Sequence, residues 1–490
     1  MEQSWKPKRG DQIIRRPRQS ELTPIEIPFI RPRISRGFIS SPLTPIAVFA
    51  LLILAGTILL FLPISTATNQ SPHIREALFT ATSAVTVTGL IVVDTESYWS
   101  TTGHVILMIL IFLGGLGMIT SSVVLYSIFL GNRSVTLTDS IQFSRSMGAL
   151  RPQGTIRKIA RNIILVTVAI QLVGFLTIFA SEIIRDPSAN LLDTLWNSLF
   201  HAVSAFNNSG FDIHSRQHGL VFGSYGYSST VIITALIIAG SIGYFTLSDI
   251  SRNKLRPSRW SLNTKLILCT SAILTLLGAV TLLAGEYSNP DTLGSMKLHE
   301  KITSSIFNAV SGRTAGFKTF DFSQLEQQTS LWYILLMFIG GASGSTAGGI
   351  KVTTVAILVA AVFTSLSNKS NITAFKREIP SASVNLALSV SLLSLGAVAI
   401  SALILTSLGG SSVGDVESAP FLAILFDSVS AYSTNGLSAG GLKEVGAWGE
   451  LVVIITMFVG RLGPLTLALV LFRREPNELY RYPSEEVTIG

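Results

Sequence analysis

Long apolar runs alternate with polar segments along the chain after its first 40 residues. A helix of about 20 apolar residues crosses a hydrocarbon core of ~30 Å. Each run reaches that length, so the runs predict eight membrane-spanning helices, roughly 43–63, 104–130, 160–183, 228–248, 264–285, 331–364, 384–408 and 450–472. This pattern is typical of an all-α polytopic membrane protein.

A shorter apolar run lies between the two spans of each successive pair. These runs are too short or too polar to cross a bilayer, and they are 76–85, 191–206, 301–311 and 420–432. We interpret them as re-entrant pore helices, which a membrane tolerates only where protein or water surrounds them.

A glycine-containing pattern follows each short run, and its four copies read SAVTVTGL, SAFNNSGF, VSGRTAGF and SAYSTNGL. Their glycines, separated by 121, 106 and 120 residues, are Gly89, Gly210, Gly316 and Gly436. A single glycine of this kind is a common helix end. Four in register between paired spans favour a pore, in which the loops meet around one axis and present backbone carbonyls to a dehydrated cation.

The predicted filter comprises each glycine and the three residues before it. Glycine adopts positive φ and has no Cβ to crowd the axis, and the negative ends of the pore helices favour cations there. The predicted filter residues are Thr86, Val87, Thr88, Gly89, Asn207, Asn208, Ser209, Gly210, Arg313, Thr314, Ala315, Gly316, Ser433, Thr434, Asn435 and Gly436.

Charged residues near these loops have two expected roles. Asp94, Asp212 and Asp321 follow three of the loops, and we expect their negative charge to draw cations to the outer mouth. Arg313 would repel a cation if it faced the axis. We therefore expect its side chain to pack behind its loop, against a carboxylate or backbone carbonyls.

The basic residues mark the topology. The formal net charge is +8, and 26 of the 36 Lys and Arg lie in the segments 1–40, 131–161, 252–265, 369–377 and 473–481. The positive-inside rule places these five segments and both termini in the cytoplasm. The basic residues flank apolar spans without interleaved aromatics, so we expect no nucleic-acid partner.

The spans and motifs divide the chain into four parallel helix–pore loop–helix repeats around one pseudo-fourfold pore. Inverted repeats of the transporter type would instead alternate in orientation. The expected divisions are a basic N-terminal tail (1–40) without fixed structure, repeats at 41–130, 155–250, 262–366 and 382–474, and a C-terminal tail (475–490).

A glycine-rich segment, 340–349, interrupts the sixth span, and Arg461 is the single charge within residues 451–472 of the last span. The segment lacks the lysine of a phosphate-binding loop, because Ile350 stands at that position. Close helix packing through small residues or an unwound loop lining the pore remain as interpretations. Arg461 is either a tie to backbone carbonyls or a positive barrier in the pore, and Lys351 could act similarly or extend towards the cytoplasm.

Over residues 40–475 the chain resembles the Trk/Ktr/HKT superfamily of potassium transporters, most nearly the bacterial KtrB (NtpJ-like) membrane subunits. RTAGF at 313–317 and GGASGSTAGG at 340–349 carry the resemblance. It implies K⁺ uptake across a bacterial plasma membrane, driven by the membrane potential, with K⁺ held by filter carbonyls. Some members also depend on Na⁺. A glycine in all four loops, including Gly89, is the K⁺-permitting pattern of that family.

The resemblance also implies regulation. An intramembrane loop would gate the pore, with the gate residues Gly340, Gly341, Gly344, Ser345, Thr346, Gly348, Gly349 and Arg461. The implied partners are a second copy in a membrane homodimer and a cytosolic nucleotide-binding subunit of the KtrA type. We expect no cofactor besides the transported ions, and no enzyme, because the sequence has no nucleophile–base set or nucleotide fingerprint. The alternative function is an alternating-access Na⁺/K⁺ transporter.

Overall fold

Helices dominate the computed structural model, which describes residues 43–116, 156–213, 226–254, 256–367, 371–409 and 421–463. The predicted tails, 1–40 and 475–490, lie outside these residues. So do the segment 117–155, which includes the end of the second predicted span, and the end of the eighth.

Fifteen α-helices can be followed through the described residues. In the first half of the chain they are α1 (Leu43–Phe61), α2 (Ile74–Thr86), α3 (Thr95–Tyr98), α4 (Thr101–Gly115), α5 (Ile156–Arg185), α6 (Leu191–Asn207), α7 (Tyr227–Ile242) and α8 (Tyr244–Arg252). In the second half they are α9 (Leu262–Glu286), α10 (Leu298–Ser311), α11 (Gln327–Phe338), α12 (Val352–Leu366), α13 (Ser381–Gly409), α14 (Phe421–Ser433) and α15 (Gly446–Leu462). A two-stranded hairpin pairs β1 (Thr373–Ala374) with β2 (Arg377–Glu378).

Three of the described helices are long and apolar enough to cross a membrane, namely α5, α9 and α13. The bent pair α7–α8 would be a fourth, while α1, α4 and α12 are shorter apolar helices. The predominantly helical, membrane-spanning class is therefore confirmed. The arrangement of eight spans in four repeats remains a prediction.

The fourth predicted span differs from the structure. We expected one helix over 228–248, but the helix ends at Ile242 and α8 leaves it at 94°. The bend lies at Gly243, whose φ of +82° is a conformation that a side chain would disfavour. The interruption expected in the sixth span is present, because α11 ends at Phe338 and α12 begins at Val352.

The short helices α2, α6, α10 and α14 cover the four runs that were too short to span. Each packs against the helix that precedes it in the chain. Each also packs against a helix of another segment, in the pairs α4 with α6, α7 with α10, α11 with α14, and α15 with α2. The last pair returns to the beginning of the chain, so these contacts form a closed cycle.

Burial separates the inner helices from the outer ones. In α2 every residue from Phe79 to Thr86 is buried, and Phe426 on α14 is fully buried. By contrast, Leu172, Leu276 and Leu403 on the long helices α5, α9 and α13 are each more than half exposed. Such apolar exposure suits a lipid-facing surface.

Candidate ion pore

The loops that follow α2, α6, α10 and α14 contact one another in a ring. A Cβ added to Gly89 would lie 2.1 Å from the carbonyl oxygen of Ser209 in the second loop. A Cβ added to each of the other three glycines would also lie close to a carbonyl oxygen of the next loop. The distances are 2.8 Å from Gly210 to the Ala315 oxygen, 2.4 Å from Gly316 to the Asn435 oxygen and 2.2 Å from Gly436 to the Thr88 oxygen. Each contacted carbonyl belongs to the residue directly before the next glycine, so the fourth loop closes on the first.

The backbone of these loops alternates in handedness. All four glycines have positive φ, between +69° and +96°. Two positions before each glycine stands another residue with positive φ, and these are Val87, Asn208, Thr314 and Thr434. Three of the four are β-branched, for which positive φ is a strained conformation. Strain of this kind persists where the surroundings impose it, and it is frequent at functional sites.

Serine hydroxyls on the pore helices hold the loops in this conformation. Ser83 Oγ accepts a hydrogen bond from the Gly89 N–H at 3.0 Å, and Ser430 Oγ accepts one from the Gly436 N–H at 3.1 Å. Ser204 Oγ instead donates to the Phe211 carbonyl at 2.8 Å. The bonded glycine amides are thereby directed towards the pore helices. Buried N–H groups need such partners.

The side chains of the predicted filter lie behind the loops. Those of Thr86, Thr88, Asn208 and Ser433 are fully buried. Arg313 is 5% exposed, and its Nε has no hydrogen-bond partner among the described residues. The expected burial of Arg313 is therefore present, but the expected carboxylate or carbonyl partner for this nitrogen is not found there.

The acidic residues expected at the outer mouth are engaged locally. Asp94 accepts a hydrogen bond from the Ser97 N–H at 3.0 Å, and Asp321 accepts one from the Ser323 N–H at 3.1 Å. Asp212 Oδ1 lies 2.8 Å from Nε2 of His201 on α6. Each carboxylate thus orders the chain that follows its loop, a role that the sequence reading missed.

The first and last segments are tied together at the start of α2, the end of this helix opposite to the ring of loops. Arg75, next to the start of α2, forms a 3.0 Å ion pair with Glu450 on α15. The neighbouring Glu76 accepts a hydrogen bond from the Tyr98 hydroxyl. Burial, together with this bond, raises the pKa of Tyr98 to about 12, so the phenol remains protonated and can donate. The ion pair joins elements separated by most of the chain.

The glycine-rich segment 340–349, hereafter the glycine loop, lies against the ends of the pore helices. Its Thr346 Oγ1 lies 3.4 Å from the Phe206 carbonyl of α6. A Cβ added to Gly348 would lie 2.2 Å from Thr434 Oγ1, and one added to Gly340 would lie 3.3 Å from Thr314 Cγ2. The loop therefore contacts the third and fourth predicted filter segments and the last turn of α6, directly before the second.

Buried Arg461 and half-buried Lys351 hold the glycine loop by its carbonyls. Arg461 on α15 donates through Nη1 to the Thr346 carbonyl and through Nη2 to the Gly114 carbonyl of α4, the latter at 2.6 Å. Lys351 Nζ donates to the Ala347 carbonyl at 2.6 Å. Arg461 therefore makes the bonds to backbone carbonyls that were one of its two expected roles. It also places the guanidinium beside the loop, as the barrier interpretation requires.

A family model described as TrkH, cation transport protein, matches residues 44–480. The chain is 38% identical to the Ktr system potassium uptake protein B of Bacillus subtilis over 90% of this chain and 95% of that protein. The chain belongs to the TrkH family of cation transport proteins. The potassium/sodium uptake protein NtpJ of Enterococcus hirae is 34% identical over 92% of this chain and 97% of its own length.

The TrkH-family fold is also found in a solved structure. The crystal structure of the potassium transporter TrkH from Vibrio parahaemolyticus matches with a TM-score of 0.65 and 18% identity, covering 88% of this chain and 84% of that one. The resemblance drawn from the motifs is therefore confirmed. The family is one of transport proteins, in agreement with the expectation that the chain is not an enzyme.

Three further glycines of this TrkH-family chain support the pore helices, and the sequence reading missed them. A Cβ on Gly114, Gly240 or Gly460 would lie 2.0, 1.9 or 1.8 Å from the carbonyl oxygen of Val85, Phe206 or Tyr432, respectively. Their signal in the sequence is a Gly-x-x-Gly pattern at Gly114, Gly240 and Gly460, each 24 to 30 residues after a filter glycine. Only glycine permits this approach of two backbones.

Proposed function

We propose that this protein takes up K⁺ across the plasma membrane of a bacterium through a single pore per chain. The observation that carries the proposal is the closed cycle of contacts from Gly89 to Ser209, onward through the third and fourth loops, and back from Gly436 to Thr88. A cycle of four loops with left-handed backbone positions can direct successive carbonyls towards one axis. Rings of backbone carbonyls replace the hydration shell of K⁺.

The proposed filter favours cations although it contains no negatively charged side chain. The pore helices α2, α6, α10 and α14 end at the loops, so their negative dipole ends lie close to the proposed ion sites. Apart from Arg313, the residues of the predicted filter are uncharged. A neutral carbonyl filter binds K⁺ weakly enough for release, and the membrane potential supplies ~2.3 kcal/mol per charge at 100 mV.

The glycine loop and Arg461 form the proposed gate. The loop contacts the third and fourth proposed filter segments and the end of α6, and Arg461 joins it to α4. A gate at this place would obstruct the ion path directly below the filter. Opening would require the bonds from Arg461 and Lys351 to break or to move together with the loop.

The finer architecture forms part of the same proposal. We assign eight spans to four parallel repeats, 41–130, 155–250, 262–366 and 382–474, with both termini in the cytoplasm. We also assign the protein to a membrane homodimer regulated by a cytosolic nucleotide-binding subunit of the KtrA type, with Na⁺ as an activating or coupling ion. The relatives named for a Ktr system and for potassium/sodium uptake support these assignments.

The test is uptake of ⁸⁶Rb⁺ and ²²Na⁺ by the purified protein in liposomes under an imposed inside-negative potential. We expect ⁸⁶Rb⁺ to accumulate, K⁺ to compete with it, and added Na⁺ to accelerate it. Uptake that saturates with counterflow and shows no dependence on potential would instead support alternating access. No uptake of either ion would contradict the proposed function.

A further inference from the structure

The stretch from the last residue of α8 to the first turn of α9, residues 252–265, is strongly basic. It contains no acidic residue and five basic residues, namely Arg252, Lys254, Arg256, Arg259 and Lys265, and the carboxylate that precedes it in sequence is Asp249 in α8. The first four of these basic side chains are exposed. We refer to residues 252–265 as the basic turn.

The basic turn has the position of a membrane-surface element. It connects the bent pair α7–α8 to α9, and both α7 and α9 are apolar. Because α8 stands at 94° to α7, α8 runs roughly parallel to the membrane plane when α7 crosses the bilayer. Short amphipathic helices with basic residues commonly lie in the interface in this way.

Trp260 gives the basic turn a second feature of an interface site. Its side chain is half-buried, and the indole N–H has no hydrogen-bond partner among the described residues. Tryptophan is enriched at the level of lipid headgroups, where the ring contacts apolar groups and the N–H finds a polar acceptor. The indole nitrogen itself is buried in this structure, so Trp260 supports an interfacial position of the turn through its ring and not through an exposed donor.

The carboxylate of Asp249 does not neutralise the turn. It accepts hydrogen bonds from Thr264 Oγ1 at 2.6 Å, from the Ser261 N–H at 3.0 Å and from Asn253 Nδ2 at 2.7 Å. These bonds fasten α8 to the start of α9. Within the described ranges, no carboxylate lies within ion-pair distance of Lys254, Arg256 or Arg259, so their charges remain available to an anionic ligand.

The bend between α7 and α8, which precedes the basic turn in the chain, is in contact with the glycine loop. The Ala342 N–H donates to the Ser241 carbonyl at 2.9 Å, and the Thr346 N–H donates to the Gly240 carbonyl at 3.4 Å. A Cβ added to Gly243, at the bend itself, would lie 3.1 Å from the carbonyl oxygen of Gly344. A change in the angle between α7 and α8 would therefore disturb the glycine loop.

We propose that the basic turn binds the headgroups of anionic phospholipids, and that this binding stabilises the bent α7–α8 arrangement to which the glycine loop is hydrogen-bonded. A ligand that favours the observed arrangement shifts the population towards it. Anionic lipid should then slow cation uptake. The coupling to uptake rests on the proposed pore and gate, whereas the lipid site itself does not.

Lipid binding is measured on the full-length protein in detergent, by native mass spectrometry with added phosphatidylglycerol or phosphatidylcholine. The variant Arg256→Gln/Arg259→Gln removes two exposed charges that take no part in the hydrogen bonds to Asp249. We expect its affinity for phosphatidylglycerol to fall roughly 25-fold, at a factor of about 5 per charge. The control Lys376→Gln/Arg377→Gln removes two exposed charges from the β1–β2 hairpin and should bind as the unmodified protein does. If the affinity for phosphatidylglycerol falls equally in both variants, or falls in neither, the basic turn is not the lipid site.

The coupling is measured by ⁸⁶Rb⁺ uptake in liposomes of phosphatidylcholine with or without phosphatidylglycerol. Phosphatidylglycerol should slow the unmodified protein and the hairpin control several-fold but have little effect on Arg256→Gln/Arg259→Gln. Lipid binding without any slowing would refute the coupling. A difference between the variants that persists in pure phosphatidylcholine would show that the two arginines act on uptake without anionic lipid and would refute the lipid role. If no liposome supports uptake, the proposed function fails, and the binding measurement still decides the site.

Discussion

Arg461 on α15 donates a 2.6 Å hydrogen bond to the carbonyl of Gly114 on α4, a residue 347 positions earlier in the chain. The same guanidinium reaches the Thr346 carbonyl in the glycine loop. One side chain therefore joins the first, third and last predicted repeats. Because an arginine cannot lose its charge in this setting, both its bonds and its field act at the proposed gate.

Replacement of this arginine separates its two effects. Arg461→Ala removes a positive charge whose repulsion of a cation at ~5 Å is on the order of 3 kcal/mol at an effective dielectric near 20, before screening by pore water. It also releases Thr346, so we expect faster ⁸⁶Rb⁺ uptake at unchanged membrane insertion. Arg461→Lys retains the charge and should remain closer to the unmodified rate. Slower uptake by a folded, inserted Arg461→Ala protein would show that the side chain is a structural tie.

Substitution of the first filter glycine tests the ring of loops. Gly89→Ser places a Cβ within about 2 Å of the Ser209 carbonyl and disfavours the φ of +86°. We expect K⁺ uptake to fall by an order of magnitude or more and Na⁺ uptake to rise relative to it, as measured by ⁸⁶Rb⁺ and ²²Na⁺ fluxes. The matched control is Gly396→Ser on α13, where a Cβ meets nothing within 4 Å. An unchanged K⁺/Na⁺ ratio in Gly89→Ser would remove this loop from the filter.

Shortening the glycine loop tests the gate independently of Arg461. Deletion of 342–347 removes the Thr346 and Ala347 carbonyls that Arg461 and Lys351 hold. Basal ⁸⁶Rb⁺ uptake should increase and depend less on a cytosolic regulatory subunit. Helical content and membrane insertion serve as the controls. Reduced uptake by an inserted protein would identify the loop as a packing seam.

Accessibility of single cysteines tests the orientation. A cysteine at Ser367, directly after α12, should react only with reagents that reach the cytoplasm, as should one at Ser140. A cysteine at Ser97 in α3, or at Ser411, should react only from outside, because the positive-inside rule places the basic segments in the cytoplasm. The native Cys269 is exposed and must first be replaced. Labelling of Ser97→Cys from the cytoplasm alone would invert the topology.

Periodicity was sufficient to locate the short helices α6 and α10, two of the four predicted pore helices. The predicted run 301–311 corresponds to α10 (Leu298–Ser311), and the run 191–206 corresponds to α6 (Leu191–Asn207). Such agreement is expected, because a helix is set by apolar residues a few positions apart and by the glycine that ends it. The bend at Gly243 was missed, since its surroundings are those of an uninterrupted apolar helix and the contact with Gly344 is distant in sequence.

The sequence by itself determined the family, the membrane-spanning helical class, the positions of the four glycine loops and the break in the sixth span. These depend on local composition and on motifs whose residues are neighbours in the chain. Only the tertiary structure decided that Gly89 faces Ser209, that Asp212 pairs with His201, and that Arg461 bonds to Gly114 and Thr346. Contacts of that kind join backbone and side-chain atoms far apart in sequence, and they exist only once the helices pack and exclude water from the groups between them.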